Sequence, residues 1–279
     1  MDDLVDKVAV VTGGASGIGF ALACAFADAG CRVVVADIEA AALDEARGKL
    51  EAGAAGRVHA VLADVADLSS VEALAAATLD RFGGVDILCN NAGVSTFTTI
   101  DRLSIGDWQW VLGVDLWGPI HGVHTFLPIM RRQGTPGHVV NTASTAGLMS
   151  GIAYLAPYAV AKVGVVSLSE SLRAELAAAG APIGVSVLCP GYTTTRVIDS
   201  DRNRPAELGV EATTDDGTAF RDLLRAGLAG DTAKQPAELA AMVLDAIHHD
   251  RFWVITDEDV RLVLDRRFAA ILDAVPRRE

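Results

Sequence analysis

The chain has 279 residues, 51% of them hydrophobic and 21% charged, with a formal net charge of -13. That much apolar material supplies a large core and excludes a disordered chain. The acidic excess disfavours nucleic acid and anionic membranes as main partners.

The first predicted strand, Val8–Val11, runs into Thr12-Gly13-Gly14-Ala15-Ser16-Gly17-Ile18-Gly19 and a predicted helix Ile18–Ala29 that Gly30 ends. Strand Arg32–Ala36 leads to Asp37 and Ile38, then to helix Ala40–Glu51. Strand Val58–Leu62 is followed by Ala63-Asp64-Val65 and helix Ser70–Phe82, with Ser69 and Glu72 spaced as a capping box. Strand Asp86–Cys89 ends in Asn90-Asn91-Ala92-Gly93, and one long helix is expected over Ser104–Arg131. Strand His138–Asn141, helix Tyr158–Ala179 and strand Gly184–Leu188 follow. Residues 192–235 are acid-rich, irregular and poor in apolar anchors, as expected of a lid over a substrate. Helix Ala237–His248, strand Phe252–Ile255 and a last helix near Glu258–Leu272 complete the chain.

This alternation predicts an α/β fold: a Rossmann-like, doubly wound parallel sheet of about seven strands with helices on both faces. Residues 1–279 read as one domain, with 192–235 as the lid and 236–279 as its C-terminal helix, last strand and tail. The uncharged stretches Val8–Ala27 and Val139–Ala161 are too broken by glycine and polar residues to span a membrane. Cys24, Cys31, Cys89 and Cys189 form no C-x-x-C pair and read as reduced core thiols. With no basic signal region in Met1–Lys7, a cytoplasmic location is expected.

A glycine-rich strand-to-helix turn lets the backbone approach a ligand, and the helix N-terminus favours a pyrophosphate. Asp37 is placed to accept from a ribose 2′-hydroxyl and to repel a 2′-phosphate, and no cation stands at Gly14, Ala15 or Ile38. NAD is therefore expected over NADP. Asp64 could accept from an adenine amino group, with Val65 against the ring. Asn91, Ala92 and Gly93 read equally as a structural turn or as a cofactor contact. Tyr158 and Lys162 share a helix face, and an ammonium there would favour the phenolate. Ser144 stands at a carboxyl strand end, where its hydroxyl could hold a carbonyl or simply cap a turn. Leu148, Ile152 and Leu155, with Met149 and Phe97, could line an apolar substrate pocket or pack the core. Trp108, Trp110 and Trp117 read as core or subunit contacts, and the six histidines complete no metal site.

Together, the Thr12–Gly19 loop, Asn90-Asn91-Ala92-Gly93, Ser144, Tyr158-Ala159-Val160-Ala161-Lys162 and Pro190-Gly191 resemble the short-chain dehydrogenase/reductase family, from about Lys7 to Gly191. The resemblance implies an NAD(P)-dependent oxidoreductase interconverting a secondary alcohol and a ketone, with NAD favoured by Asp37; Leu148, Met149, Ile152, Leu155 and Phe97 favour a bulky apolar substrate such as a steroid or terpenoid. It implies Tyr158 as the acid/base, Ser144 as holder of the substrate oxygen and Lys162 on the nicotinamide ribose. Gly13, Ser16, Gly17, Ile18 and Gly19 would meet the pyrophosphate; Asp37, Ile38, Asp64 and Val65 the adenosine; Asn91, Ala92 and Gly93 the adjoining ribose. Pro190, Gly191, Thr193 and Thr195 would lie by the nicotinamide, and a homotetramer or homodimer is implied. One residue departs from the pattern: Asp115 stands where the family has an asparagine whose main-chain carbonyl holds a relay water. Aspartate keeps that carbonyl. A non-catalytic dinucleotide-binding regulator on the same fold is the alternative; a serine hydrolase built on Ser144 lacks the Gly-x-Ser-x-Gly elbow.

Overall fold

Runs such as Val8-Ala9-Val10-Val11 are apolar at every position, so such a strand must be covered on both faces. The computed structural model describes residues 1, 3–149 and 151–276. It contains strands β1 (Val8–Thr12), β2 (Arg32–Asp37), β3 (Val58–Leu62), β4 (Ile87–Asn90), β5 (Gly137–Thr142), β6 (Ile183–Cys189) and β7 (Trp253–Ile255). They form one parallel sheet in the order β3-β2-β1-β4-β5-β6-β7. The period of two divides their side chains between two cores. Ala9, Val11, Val33, Val35 and Cys89 pack with Leu22 and Phe26 of α1 (Gly17–Asp28), Leu43 of α2 (Ala40–Gly53) and Val243 of α9 (Pro236–His249). On the other face Val10, Val34, Leu88, Val139 and Val187 pack with three helices. These are α3 (Leu68–Phe82, through Leu74), α5 (Gly118–Gln133, through Phe126) and α7 (Ala156–Ala178, through Leu172).

The single helix expected over Ser104–Arg131 is in fact α4 (Ile105–Leu112), a π-helical turn (Gly113–Trp117) and α5. Pro119 has no N–H and cannot donate to the carbonyl of Asp115, four residues before it, so the regular ladder cannot run through this point. The Ser69–Glu72 box is replaced by Asp67, whose side chain caps α3 by accepting from Ser69 N at 2.9 Å. Ser104 and Asp107 do form the reciprocal box of α4.

The segment 192–235 is more regular than its composition suggests. It holds two 3₁₀ stretches, Val197–Asn203 and Ala206–Leu208, and the four-turn helix α8 (Asp215–Ala229). Its acids are partly helix-start signals: Thr214 caps α8 through Gly217 N at 3.1 Å, and Asp215 and Asp216 occupy the first turn. The short helix α6 (Thr145–Met149) was not expected, and α10 (Val260–Asp273) ends the described chain; 277–279 of the expected tail lie outside the described residues. Among the described residues no helix is long and apolar enough to cross a membrane.

Candidate active site

The sheet reverses its winding between β1 and β4, and ligands of open α/β sheets bind beyond the strand ends at such a point. A groove of about 370 Å³ lies there, lined by Gly13, Ser16, Gly17 and Ile18 and by the ends of β2 (Asp37, Ile38), β3 (Asp64, Val65) and β4 (Asn91, Ala92, Gly93). Ser16 precedes α1 without capping it through its side chain, which leaves first-turn N–H groups open to an anion. Gly19 does not line the groove: a Cβ there would lie 2.1 Å from Gly13 O, so its role is to let α1 pass under the loop. The Asp37 carboxylate is held by Ala15 N and Glu39 N, each donating at 3.0 Å. Asn90 is structural. It donates to Asn141 Oδ1 at 2.8 Å, and Asn141 donates to Ser169 Oγ at 3.0 Å, tying β4 and β5 to α7.

At the other end of the groove Ser144, Tyr158 and Lys162 converge with Pro190, Gly191, Thr193 and Thr195. Lys162 Nζ donates to Thr142 O at 3.0 Å and lies 3.0 Å from Asp115 Oδ2, with the two side chains 3% and 0% exposed. Asp115 Oδ1 accepts from Val94 N at 2.7 Å. Asp115 itself does not line the groove; it sits beneath Lys162 in the π-turn. Burial raises the Tyr158 pKa and Asp115 adds to this, while Lys162 and hydrogen-bonding Ser144 oppose it; the net direction is up. Burial alone would lower Lys162, but Asp115 and Tyr158 outweigh it and hold the ammonium charged.

Beyond Tyr158 lies a second cavity of about 320 Å³. Its walls include Phe97, Met149, Ile152, Leu155, Ile198, Phe220 and Leu224, with Ser95, Tyr192 and Asp257 as polar members. Leu148 is absent from these walls; it packs in the core, because the α6 turn directs Met149 rather than Leu148 into the cavity. The residues that sequence reasoning missed come mostly from 192–235. Arg196, Arg202 and Asn203 line the groove, and Glu39 Oε1, next to its Asp37 end, accepts from Arg202 Nε and Asn203 Nδ2, each at 2.9 Å. The spacing of Phe220, Leu224 and Leu228 at i, i+4 and i+8 is the signal that could have revealed the cavity roof. Trp110 is a groove residue, with the Arg204 guanidinium 5.5 Å from its ring, whereas Trp117 is exposed beside His121.

Comparison with known proteins gives one consistent picture. The family model described as "short chain dehydrogenase" matches residues 7–206. A C alpha-dehydrogenase from Sphingobium sp. (strain NBRC 103272 / SYK-6) is 35% identical over 276 residues, covering 99% of this chain and 88% of that one. A 1-deoxy-11-beta-hydroxypentalenate dehydrogenase from Streptomyces avermitilis is 36% identical over 267 residues, covering 95% of this chain and 90% of that one. The crystal structure of a short chain dehydrogenase/reductase from Burkholderia phymatum in complex with NAD superposes with a TM-score of 0.93 at 38% identity, covering 100% of this chain and 99% of that one.

Proposed function

This chain belongs to the short-chain dehydrogenase family, and on that footing we propose that it is an NAD-dependent oxidoreductase interconverting a secondary alcohol and a ketone with a bulky apolar body, such as a steroid or terpenoid. One observation carries this reading: Ser144, Tyr158, Pro190 and Gly191 line both the dinucleotide-shaped groove and the apolar cavity, so the acid/base group stands where the two meet. When bound, the dinucleotide supplies the hydride acceptor, or the donor in the reverse direction.

The other parts belong to the chain. In oxidation Tyr158 Oη takes the proton of the substrate hydroxyl, and Ser144 Oγ donates to the developing carbonyl oxygen. Lys162 binds the nicotinamide ribose with an ammonium hydrogen that Thr142 O leaves free. The open N–H groups of the α1 first turn take the pyrophosphate, Asp37 the adenosine ribose and Asp64 with Val65 the adenine. Asp37 favours NAD over NADP by charge. The Asp115 carbonyl, which Pro119 cannot satisfy, is suited to hold a relay water. The chain would act as one catalytic domain with 192–235 as its lid, and exposed Trp117 and Val160 mark a face for a homodimer or homotetramer.

The test is NADH formation from NAD, with NADP in parallel, across steroid, terpenoid, aryl and short aliphatic secondary alcohols. Turnover is expected with the bulky apolar classes, with Tyr158→Phe losing at least 100-fold in kcat, the order of a general-base contribution, while still binding NAD. Near-normal kcat in that variant would overturn the assignment. NAD binding with no turnover on any alcohol would favour the non-catalytic reading.

A further inference from the structure

We propose that Asp115 is a positioning residue whose carboxylate competes with Tyr158 for the charge of Lys162 and so sets the pH at which Tyr158 begins to accept protons. The inference rests on the reading of Tyr158 as the acid/base group. Its basis is the geometry of the buried pair. A neutral asparagine at 115 could accept from Val94 N through Oδ1 just as this aspartate does at 2.7 Å. What the aspartate adds is a negative second oxygen, 3.0 Å from Lys162 Nζ. Among the described residues Oδ2 has no hydrogen-bond partner, so the ammonium is its one compensation. With both side chains almost fully buried, neither water nor salt screens the pair. A phenolate at 158 therefore faces an ion pair of zero net charge rather than an isolated cation.

The remaining charged and titratable groups around Tyr158 do not replace that carboxylate. At the end of β6 the Cys189 thiol is pushed up to about 12, chiefly by burial, and stays neutral. Ser144, after β5, acts as a hydrogen-bond partner, and α6 brings no ionisable side chain. Asp107 of α4 is turned to Arg204. Asp257 lines the far cavity, and Asp37, Glu39, Asp64, Arg196 and Arg202 line the rest of the groove, all unchanged by a substitution at 115. Burial raises the Asp115 pKa, opposed by the adjacent ammonium and the Val94 N–H.

Asp115→Asn removes the charge and keeps the acceptor for Val94. The chain has only three tyrosines, Tyr154, Tyr158 and Tyr192, so tyrosinate absorbance near 295 nm is a tractable readout without cofactor or substrate. Subtracting the Tyr158→Phe titration isolates Tyr158. We expect its midpoint in Asp115→Asn to fall by about one pH unit or more, the order that a nearby charge produces. The acid limb of kcat/KM for alcohol oxidation should move down by the same amount, which raises kcat/KM roughly tenfold below the limb. Asp115→Ala should show the same movement with a lower Tm, because Val94 N–H loses its partner; it serves as the second variant if Asp115→Asn folds poorly. An unmoved tyrosinate midpoint in a folded variant, or a kcat that drops equally at all pH values, overturns the proposal and leaves Asp115 a structural residue. If Tyr158→Phe keeps its turnover, the reading of Tyr158 fails instead, and the titration tells the two failures apart.

Discussion

Arg204 carries the most consequential contact between the 192–235 segment and the body of the protein. Its guanidinium pairs with Asp107 of α4, with the two side chains only 7% and 3% exposed, and its Nε donates to Gly209 O at 2.8 Å. Asp107 cannot follow a departing partner, because Ser104 N and Ser104 Oγ fix its Oδ2 at 2.8 and 2.7 Å. Arg204→Met keeps much of the apolar stem but removes the guanidinium 5.5 Å from the Trp110 ring and leaves a buried carboxylate without its cation. Breaking one side of such a pair costs about 3–5 kcal/mol. Two responses are open to the molecule. If 192–235 stays docked, the whole penalty falls on global stability, and Tm drops by several degrees. If the segment lifts and admits water to Asp107, the penalty becomes local opening, and about 3 kcal/mol accelerates amide exchange there roughly 150-fold. The second is the expected outcome, since this segment adds no strand to the sheet. Hydrogen exchange read by mass spectrometry should then speed up over 196–229 and not over β1, β4 or β5. KM for alcohol and for NAD should rise together, because Ile198 lines the cavity while Arg202 and Asn203 line the groove. Unchanged exchange in 196–229 together with an unchanged Tm would refute the reasoning.

Two further substitutions test separate parts of the structure. Asp37→Ala removes a charged acceptor for the ribose, and at about 1.5–3 kcal/mol per such bond KM for NAD should rise by roughly 10- to 150-fold while the NAD/NADP ratio of kcat/KM narrows; an unchanged ratio would show that discrimination lies elsewhere. His138, buried in β5 beside Gly184 of β6 with Nε2 2.8 Å from Ser186 Oγ, has its pKa lowered to about 4, chiefly by burial. Its folded value lies below the unfolded value of about 6.5, so the native state binds fewer protons between them. Its contribution is therefore complete above about pH 6.5 and is lost as pH falls toward 4, by up to about 3 kcal/mol. Denaturant midpoints from pH 7.5 to 4.5 should fall more steeply for the natural chain than for His138→Gln, and equal slopes would count against this account.

The sheet was legible because its signal is local. Each strand is a short apolar run with a turn residue at its end, and parallel strands need no long-range pairing code to be recognised as buried. The groove is legible for a related reason: its residues sit at strand ends, so that Asp37, Asp64, Asn91 and Ser144 line it by position in the sheet. The cover over it obeys neither rule. Glu39 and Arg202 are 163 positions apart, and nothing in either neighbourhood says that they meet. The acids of 211–216 are polar in sequence, yet Glu211 accepts from Phe97 N, far away in the chain, and Asp215 and Asp216 open the α8 turn that Thr214 caps. Leu148 and Met149 are both apolar, and only the turn of α6 decides which one faces the second cavity.

Asp115 is the most instructive of these residues. The sequence places it at the family's asparagine position, and Pro119, four residues on, has no N–H to offer its carbonyl; both facts concern the main chain. The side chain becomes informative only once Lys162 is found against it, because a carboxylate differs from an amide chiefly through what lies within a few ångströms. A substitution that changes one atom and one charge is conservative where water screens it. Beneath Tyr158, where both partners are buried, the same change bears directly on the proton affinities of the neighbouring groups.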